Sequence, residues 1–180
     1  MTKKLMRRIN YIAILIAVTF PFSSSIAQSP GGSKYVGYKY EAPRVGEKLS
    51  NGFEHYGGGL IGDIDADRVY GVSVLKNGKA IMFWLEVSIA RNENGGVTKW
   101  EVLDSLEFSN LRSFDYVMEF SEPAFQCKRG KKIIENLVGI GKFSVKRGIF
   151  TPHKLWSPNA KTAKFESVSV KNIRCIYSEP

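Results

Sequence analysis

The sequence has few of the side chains on which most enzyme mechanisms depend. It contains two histidines and two cysteines among 180 residues. It has no phosphate-binding glycine loop, dinucleotide fingerprint, histidine-rich zinc motif or Gly-x-Ser-x-Gly elbow. An Asn-x-Ser/Thr acceptor for N-glycosylation is also missing, as in many bacterial exported proteins. We therefore expect no catalytic residue, no cofactor and no metal site, and we expect a protein that is not an enzyme.

Long apolar runs are missing too, apart from one near the N-terminus. Residues 9–20 are largely apolar, follow four basic residues, and precede the small residues Ser25 and Ala27. This order is typical of a secretory signal peptide. A spanning helix needs about 20 apolar residues, so the run is too short to serve as a membrane anchor. We expect residues 1–27 to form a helical signal peptide that is cleaved, leaving no stable membrane span and a periplasmic or secreted product.

Acidic residues are fewer than basic ones, and the formal net charge is +9. Four of the 26 basic residues and none of the 17 acidic ones lie in residues 1–27. The processed chain therefore has 22 basic against 17 acidic residues, a net charge of +5. This modest excess favours weak attraction to anionic surfaces. Together with export, it argues against nucleic acid as a partner.

Both cysteines, Cys127 and Cys175, lie outside the signal peptide. An isolated pair in a small exported domain predicts a disulfide. Neither cysteine has a histidine or a second cysteine at metal-ligand spacing. Closing a loop of this length would stabilise the fold by about 4 kcal/mol in the chain-entropy account.

The remaining sequence divides into a short arm and one domain. Residues 28–52 are rich in glycine, serine, proline and tyrosine without apolar periodicity, and predict a flexible arm with a short strand near residues 35–40. Residues 53–180 predict a single β-rich domain of a size that supports a hydrophobic core.

Alternating apolar residues are the main secondary-structure signal. Residues 79–91 alternate strictly on one face, and their other face begins apolar and then turns polar. They predict a central strand that is covered on both faces at one end and half-exposed at the other, preceded by a hairpin at Asn77-Gly78. A second hairpin is predicted at Asn94-Gly95, and a third around residues 157–162. Residues 133–145 fit a helix or strands, and their glycines favour strands. The fold class predicted is mainly β, an antiparallel β-sandwich or open barrel of about seven to eight short strands.

One acidic motif resembles the start of a calcium-binding Asp-x-Asp-x-Asp-Gly loop. Asp63, Asp65 and Asp67 carry the resemblance. Arg68 stands where the turn glycine is expected, and Val74 where the loop needs a bidentate glutamate. We expect a solvated turn here, with calcium as the weaker alternative.

Two further patterns resemble parts of hydrolases. The segment 55–59, His-Tyr-Gly-Gly-Gly, resembles the glycine-rich oxyanion loop of esterases, but the nucleophile elbow is missing. Two carboxylate pairs, Glu119 with Glu122 and Asp104 with Glu107, have residue types that glycan hydrolysis uses. Spacing alone does not place such pairs across a cleft, and a solvated position is the simpler interpretation.

The densest positive charge of the domain directly follows Cys127. It consists of Lys128, Arg129, Lys131 and Lys132. Such a cluster either meets an anionic lipid, lipopolysaccharide, an acidic polymer or an acidic protein, or is a solvated loop tip.

Three tryptophans, Trp84, Trp100 and Trp156, lie on the apolar side of the alternation, so we expect core packing rather than a carbohydrate platform.

These observations lead to three hypotheses for the function. The first is an exported, non-enzymatic binding or interaction module of unknown ligand, whose partner is an envelope protein, a polymer or an anionic surface. The second is a periplasmic inhibitor or immunity-type protein. The third is a glycan hydrolase that uses paired carboxylates.

Overall fold

The computed structural model describes residues 34–62, 67–109, 111, 116–118 and 125–177. These ranges form twelve strands and one 3-10 turn, Val145–Arg147. The strands are β1 (Lys39–Glu41), β2 (Glu54–Ile61), β3 (Tyr70–Asn77), β4 (Ala80–Arg91), β5 (Val97–Phe108), β6 (Tyr116–Met118), β7 (Phe125–Arg129), β8 (Lys132–Ile134), β9 (Val138–Ser144), β10 (Ile149–Asn159), β11 (Lys164–Val168) and β12 (Ile173–Tyr177). They build two antiparallel sheets, one curled into a half-barrel, which confirms the predicted fold class.

The strand count exceeds the seven to eight expected from alternation. Strands β1, β6 and β8 have three residues each, too few to give a periodic pattern. The predicted hairpins are all present, joining β3 to β4, β4 to β5 and β10 to β11. In the first two, Gly78 and Gly95 take the left-handed conformation that the turns require, with φ of 57° and 79°.

Sheet A contains the first five strands in the order β1-β5-β4-β3-β2. Its central strand, β4, is buried on both faces over residues 81–86, and its second half is partly exposed. Ile81, Phe83 and Leu85 point to one side and pack against the second sheet, whereas Met82 and Trp84 point to the other side. This double burial is the pattern predicted for residues 79–91.

The second face of sheet A is covered by residues 35–53, within the segment expected to be an arm. Strand β1 pairs with β5, and Tyr40 is 8% exposed. The Tyr40 and Tyr35 rings lie 5.2 and 5.4 Å from the ring of Trp84. These aromatic side chains share one apolar cluster with Phe53, so they belong to the core although most residues between them are exposed.

Sheet B contains the remaining strands in the order β6-β9-β10-β12-β7-β8, with β11 pairing the far end of β10. Residues 133–145, for which strands were favoured, contain the end of β8 and all of β9, and the 3-10 turn begins at Val145. The glycines that favoured strands in this region have a packing role. A Cβ atom on Gly141 would lie 2.3 Å from the carbonyl oxygen of Thr151 and 2.8 Å from Pro152 Cα, so only glycine fits against β10.

The two sheets pack through a shared apolar cluster. Sheet A contributes residues of β3 and β4, and sheet B contributes Val138, Ile140 and Trp156. At one edge, Asp104 of β5 accepts a hydrogen bond from the Phe165 backbone at 2.8 Å and lies 3.7 Å from the Lys164 ammonium. These contacts fasten β11 to sheet A.

Candidate binding face and buried polar cluster

The predicted basic residues form the β7–β8 hairpin at one edge of sheet B. Gly130, with φ of 62°, and Lys131 form its turn. Lys128 projects from one face of the sheet, because it neighbours Cys127, whose side chain is buried on the other. Arg129 and Lys132 lie opposite each other at the end of the hairpin, on the cysteine side. The structure therefore does not bring all four cations onto one face.

A fifth cation, Arg174, completes the arrangement. It lies directly opposite Lys128 in the β7–β12 register. The adjacent register pair is Cys127 and Cys175, whose sulfur atoms are 1.96 Å apart, at disulfide distance as predicted. The disulfide thus lies beside the Lys128–Arg174 pair and on the opposite face of the sheet.

Like charges therefore lie opposite each other on neighbouring strands at two places. Lys128 lies opposite Arg174, and Arg129 lies opposite Lys132. Like charges in such positions are destabilising. Within the described residues, none of these four side chains forms an ion pair with a carboxylate, although Arg129 donates a hydrogen bond to the Ser169 carbonyl at 2.8 Å. Nothing described in this part of the chain neutralises the repulsion.

In sheet A, by contrast, opposite charges face each other across neighbouring strands. On β1 and β5, Lys39 faces Glu101 and Glu41 faces Lys99. Their nitrogen–oxygen distances are 3.6 and 4.0 Å. Opposite charges are paired in one sheet and like charges in the other.

The difference extends to the whole of sheet B. Residues 125–177 contain twelve lysines and arginines but only two acidic residues, Glu135 and Glu166. Residues 28–124 contain ten basic and fourteen acidic residues. No single motif carries this asymmetry, which appears only when the charges of the two parts of the chain are compared. It marks the second sheet as strongly positive.

Two aliphatic side chains share the face that carries Lys128 and Arg174. Ile133 lies opposite Lys128 on β8, and Ile176 is two residues from Arg174 on β12. They are 43% and 41% exposed. We call Lys128, Ile133, Arg174 and Ile176 the basic face, and Arg129, Lys131 and Lys132 the hairpin tip.

A separate cluster of polar side chains is buried in sheet A. The Glu86 carboxylate accepts a hydrogen bond from Ser73 Oγ at 2.9 Å and another from the Tyr40 hydroxyl. The Nε2 atom of His55 lies 3.4 Å from Ser73 Oγ. Glu86 and Ser73 are 3% and 5% exposed.

Burial controls the titration of this cluster. Removal from water disfavours the charged carboxylate and raises the pKa of Glu86 to about 7, although the hydrogen bonds from Tyr40 and Ser73 oppose the shift. Burial also raises the pKa of Tyr40, and the adjacent Glu86 charge adds to this. It lowers the pKa of His55.

The structure thus brings Ser73, His55 and Glu86 together, and the glycine-rich segment 55–59 alone did not predict this cluster. The order of contacts differs from that of a catalytic triad, in which the carboxylate orients the histidine. Here Glu86 holds Ser73 and Tyr40 instead. Glu86, Ser73 and Tyr40 are all nearly inaccessible to solvent. The arrangement therefore fits a structural role, in which it joins β1 to the rest of sheet A.

The predicted calcium motif and the first carboxylate pair do not form a metal or catalytic centre within the described residues. Asp63, Asp65, Glu119 and Glu122 lie outside those residues, and Asp67 is exposed. No group of three potential metal ligands occurs in the described part of the chain.

The second carboxylate pair does not converge. Asp104 and Glu107 lie three residues apart on β5, so they face opposite sides of the strand. Asp104 is already engaged by β11. The three tryptophans are 0%, 7% and 2% exposed, which places them in the core.

Comparison of the chain with protein-family models, curated proteins and solved structures finds no match. Over the residues that the structure describes, no helix has the length and hydropathy of a membrane span.

Proposed function

We propose that the protein is an exported, non-enzymatic binding module that recognises an anionic partner through the basic face and the hairpin tip. The observation that carries this proposal is that like charges occupy opposite register positions, Lys128 with Arg174 and Arg129 with Lys132, without a carboxylate partner among the described residues. An anionic partner would remove the repulsion that the free protein retains, and the free energy released would favour binding.

Export is supported by two independent features. Residues 1–27 have the basic, apolar and small-residue order of a signal peptide. The Cys127–Cys175 pair at disulfide distance is suited to an oxidising compartment. In such a compartment, lipid headgroups, sulfated or phosphorylated polymers and acidic proteins are the available anions.

Binding is favoured over catalysis by where the titratable groups lie. Three of the described side chains with a shifted pKa, Glu86, Tyr40 and His55, belong to the polar cluster of sheet A, in which Glu86 is 3% exposed. The fourth, Lys34, is an exposed lysine beside Tyr35. The cations of the basic face and the hairpin tip, in contrast, lie near one edge of sheet B, where they meet a surface rather than enclose a small substrate.

The test uses the chain expressed from its full sequence and purified with oxidised cysteines. We expect it to be retained on immobilised dextran sulfate and released as salt increases, because screening weakens exposed charge contacts. K128S/R174S should elute at clearly lower salt. K48S/K79S, which removes two exposed lysines from the sheet A part of the chain, is the matched control and should elute with the wild type.

Equal elution of the two double variants would contradict the proposal, since net charge alone would then explain retention. Elution of the wild type from dextran sulfate at the same salt as from uncharged dextran would contradict it as well.

A further inference from the structure

We infer that the anionic partner of the basic face is the surface of a bilayer containing anionic phospholipid. This inference rests on the proposed function and names the ligand class. Its starting point is that the basic face is not purely basic. Ile133 lies directly opposite Lys128, and Ile176 lies two residues from Arg174 on the same strand.

A soluble polyanion makes no favourable contact with these aliphatic side chains. Its contacts with lysine and arginine are electrostatic, and the isoleucines would remain in water. A bilayer surface offers both kinds of contact, since phosphate groups meet the cations while the glycerol and upper acyl region accepts short apolar side chains. Lysine and arginine stems also pack on such a boundary while their charged ends stay hydrated.

A third exposed aliphatic residue lies at the same end of sheet B as Ile176. Val145 is 83% exposed in the 3-10 turn between β9 and β10, and Lys146 and Arg147 follow it. The Gly148 carbonyl, which ends the turn, accepts a hydrogen bond from the Tyr177 backbone at 2.7 Å. The register also places Ile149 opposite Ile176. The turn therefore repeats the combination of an exposed apolar side chain with two cations beside the basic face.

The strands hold this surface in place. The Cys127–Cys175 pair joins β7 to β12 one register position away from Lys128 and Arg174. Four strands, β8, β7, β12 and β10, are consecutive neighbours in the sheet. The cations and isoleucines thus stand on a continuous sheet rather than on a flexible tail, and little ordering entropy is lost on docking.

The charge of the surrounding sheet has the right sign for such docking. The only acidic residues of 125–177 are Glu135, which follows β8, and Glu166, whose carboxylate accepts hydrogen bonds from Asn159 Nδ2 at 2.7 Å and Thr162 Oγ1 at 3.1 Å. Each lysine or arginine brought to an anionic membrane strengthens partitioning by about fivefold.

The experiment measures co-sedimentation of the full-sequence, oxidised protein with two kinds of vesicle. One contains phosphatidylcholine alone, and the other contains equal parts of phosphatidylcholine and phosphatidylglycerol. We expect binding to the second kind only. K128S/R174S should reduce this partitioning by more than about tenfold, as two membrane-facing cations are lost.

The apolar contribution is tested with I133S/I176S. We expect it to lower partitioning onto the anionic vesicles by about tenfold, because two half-exposed isoleucines no longer enter the boundary region. Retention on dextran sulfate should be unchanged. The control is L60S/I89S, since Leu60 and Ile89 of sheet A are each 42% exposed, nearly the same as the two tested residues. It should leave both measurements as in the wild type.

Each outcome separates the two proposals. Retention on dextran sulfate without vesicle binding would overturn the lipid inference and leave a polymer or acidic protein as the partner. Equal vesicle binding by I133S/I176S and the wild type would also overturn it, since charge alone would then account for the affinity. Failure to bind either anionic material would overturn the proposed function itself.

Discussion

Lys128 and Arg174 face each other across β7 and β12, one register position from the disulfide-distance pair of Cys127 and Cys175. Two cations are thus held together where the chain is cross-linked. A cross-link tolerates repulsion at its neighbouring position because it limits how far the strands separate. This relationship connects the stability of sheet B to its charge, and the first two predictions follow from it.

Reversing one charge of the pair should stabilise the protein. In K128E, a carboxylate replaces a cation opposite Arg174, and an opposite-charge cross-strand pair is worth about 0.2–1 kcal/mol. We expect the free energy of unfolding to rise by that amount at low salt, measured by urea denaturation. K39E is the reciprocal control, because it places two carboxylates opposite each other at Glu101 and should lower stability. A loss of stability in K128E would show that the repulsion is not significant.

Reduction of the disulfide should destabilise the protein strongly. The bond closes a loop of 48 residues in sequence separation, and loss of such a link costs about 4 kcal/mol. The strands that carry Lys128 and Arg174 would also be free to move apart, so the loss should be greater at low salt. Thermal unfolding with and without a reductant, at two salt concentrations, measures both effects. An unchanged melting temperature in the reductant would contradict this prediction.

Stability should fall as pH rises from about 4.5 to 7 through the titration of Glu86. Its pKa is raised from 4.5 to about 7 in the folded state, so folding favours the protonated acid. The stabilisation from this group is complete below pH 4.5, declines as pH rises towards 7, and is absent above it. The full change corresponds to about 3 kcal/mol.

The substitution E86Q checks this assignment, since the amide keeps hydrogen-bonding capacity without titrating. We expect the stability of E86Q relative to the wild type to rise between pH 4.5 and 7 and to be constant above. Parallel pH profiles for E86Q and the wild type would exclude Glu86 as the titrating group.

Strand β9 should not tolerate a side chain at Gly141. In G141A, the new Cβ would lie 2.3 Å from the Thr151 carbonyl oxygen and 2.8 Å from the Phe150 ring. Backbone atoms on a neighbouring strand yield little, so we expect a loss of more than about 2 kcal/mol in urea unfolding. G95A meets open space and has only the strain of its φ of 79°, so its loss should be about 1 kcal/mol. Similar losses in the two variants would contradict the packing explanation.

Much of the local structure could be predicted from the sequence. The Asn77-Gly78 and Asn94-Gly95 turns lie between the strands they were expected to join. Alternation identified β4 as a strand buried on both faces, and the tryptophans as core residues. These signals are local, because turn geometry and side-chain alternation depend on residues a few positions apart. The three-residue strands could be placed only roughly: β1 overlaps the short strand expected near residues 35–40, and β8 overlaps the strands favoured for residues 133–145. Their exact bounds depend on pairing with neighbouring strands rather than on their own sequence.

The candidate site was only half predictable. Its first half, the cations after Cys127, is a run in the sequence, whereas Arg174 is isolated and gives no local signal. The expected cysteine pairing brings the segments around Cys127 and Cys175 together, but it sets neither the strand direction nor the register that places Arg174 opposite Lys128. The imbalance of twelve cations to two carboxylates in residues 125–177 can be read from the sequence, and it indicates only that this part of the chain is basic.

By itself, then, the sequence determined the β-rich class, the turns, the cysteine pairing and the uneven charge, all of which follow from composition and short-range patterns. Only the tertiary structure decided which charges meet. Register places Lys128 against Arg174 and Lys39 against Glu101, and sheet packing buries Glu86 beneath Tyr40. Contacts of this kind depend on which face a residue occupies and which strand lies beside it, and both are set by packing between segments far apart in the chain.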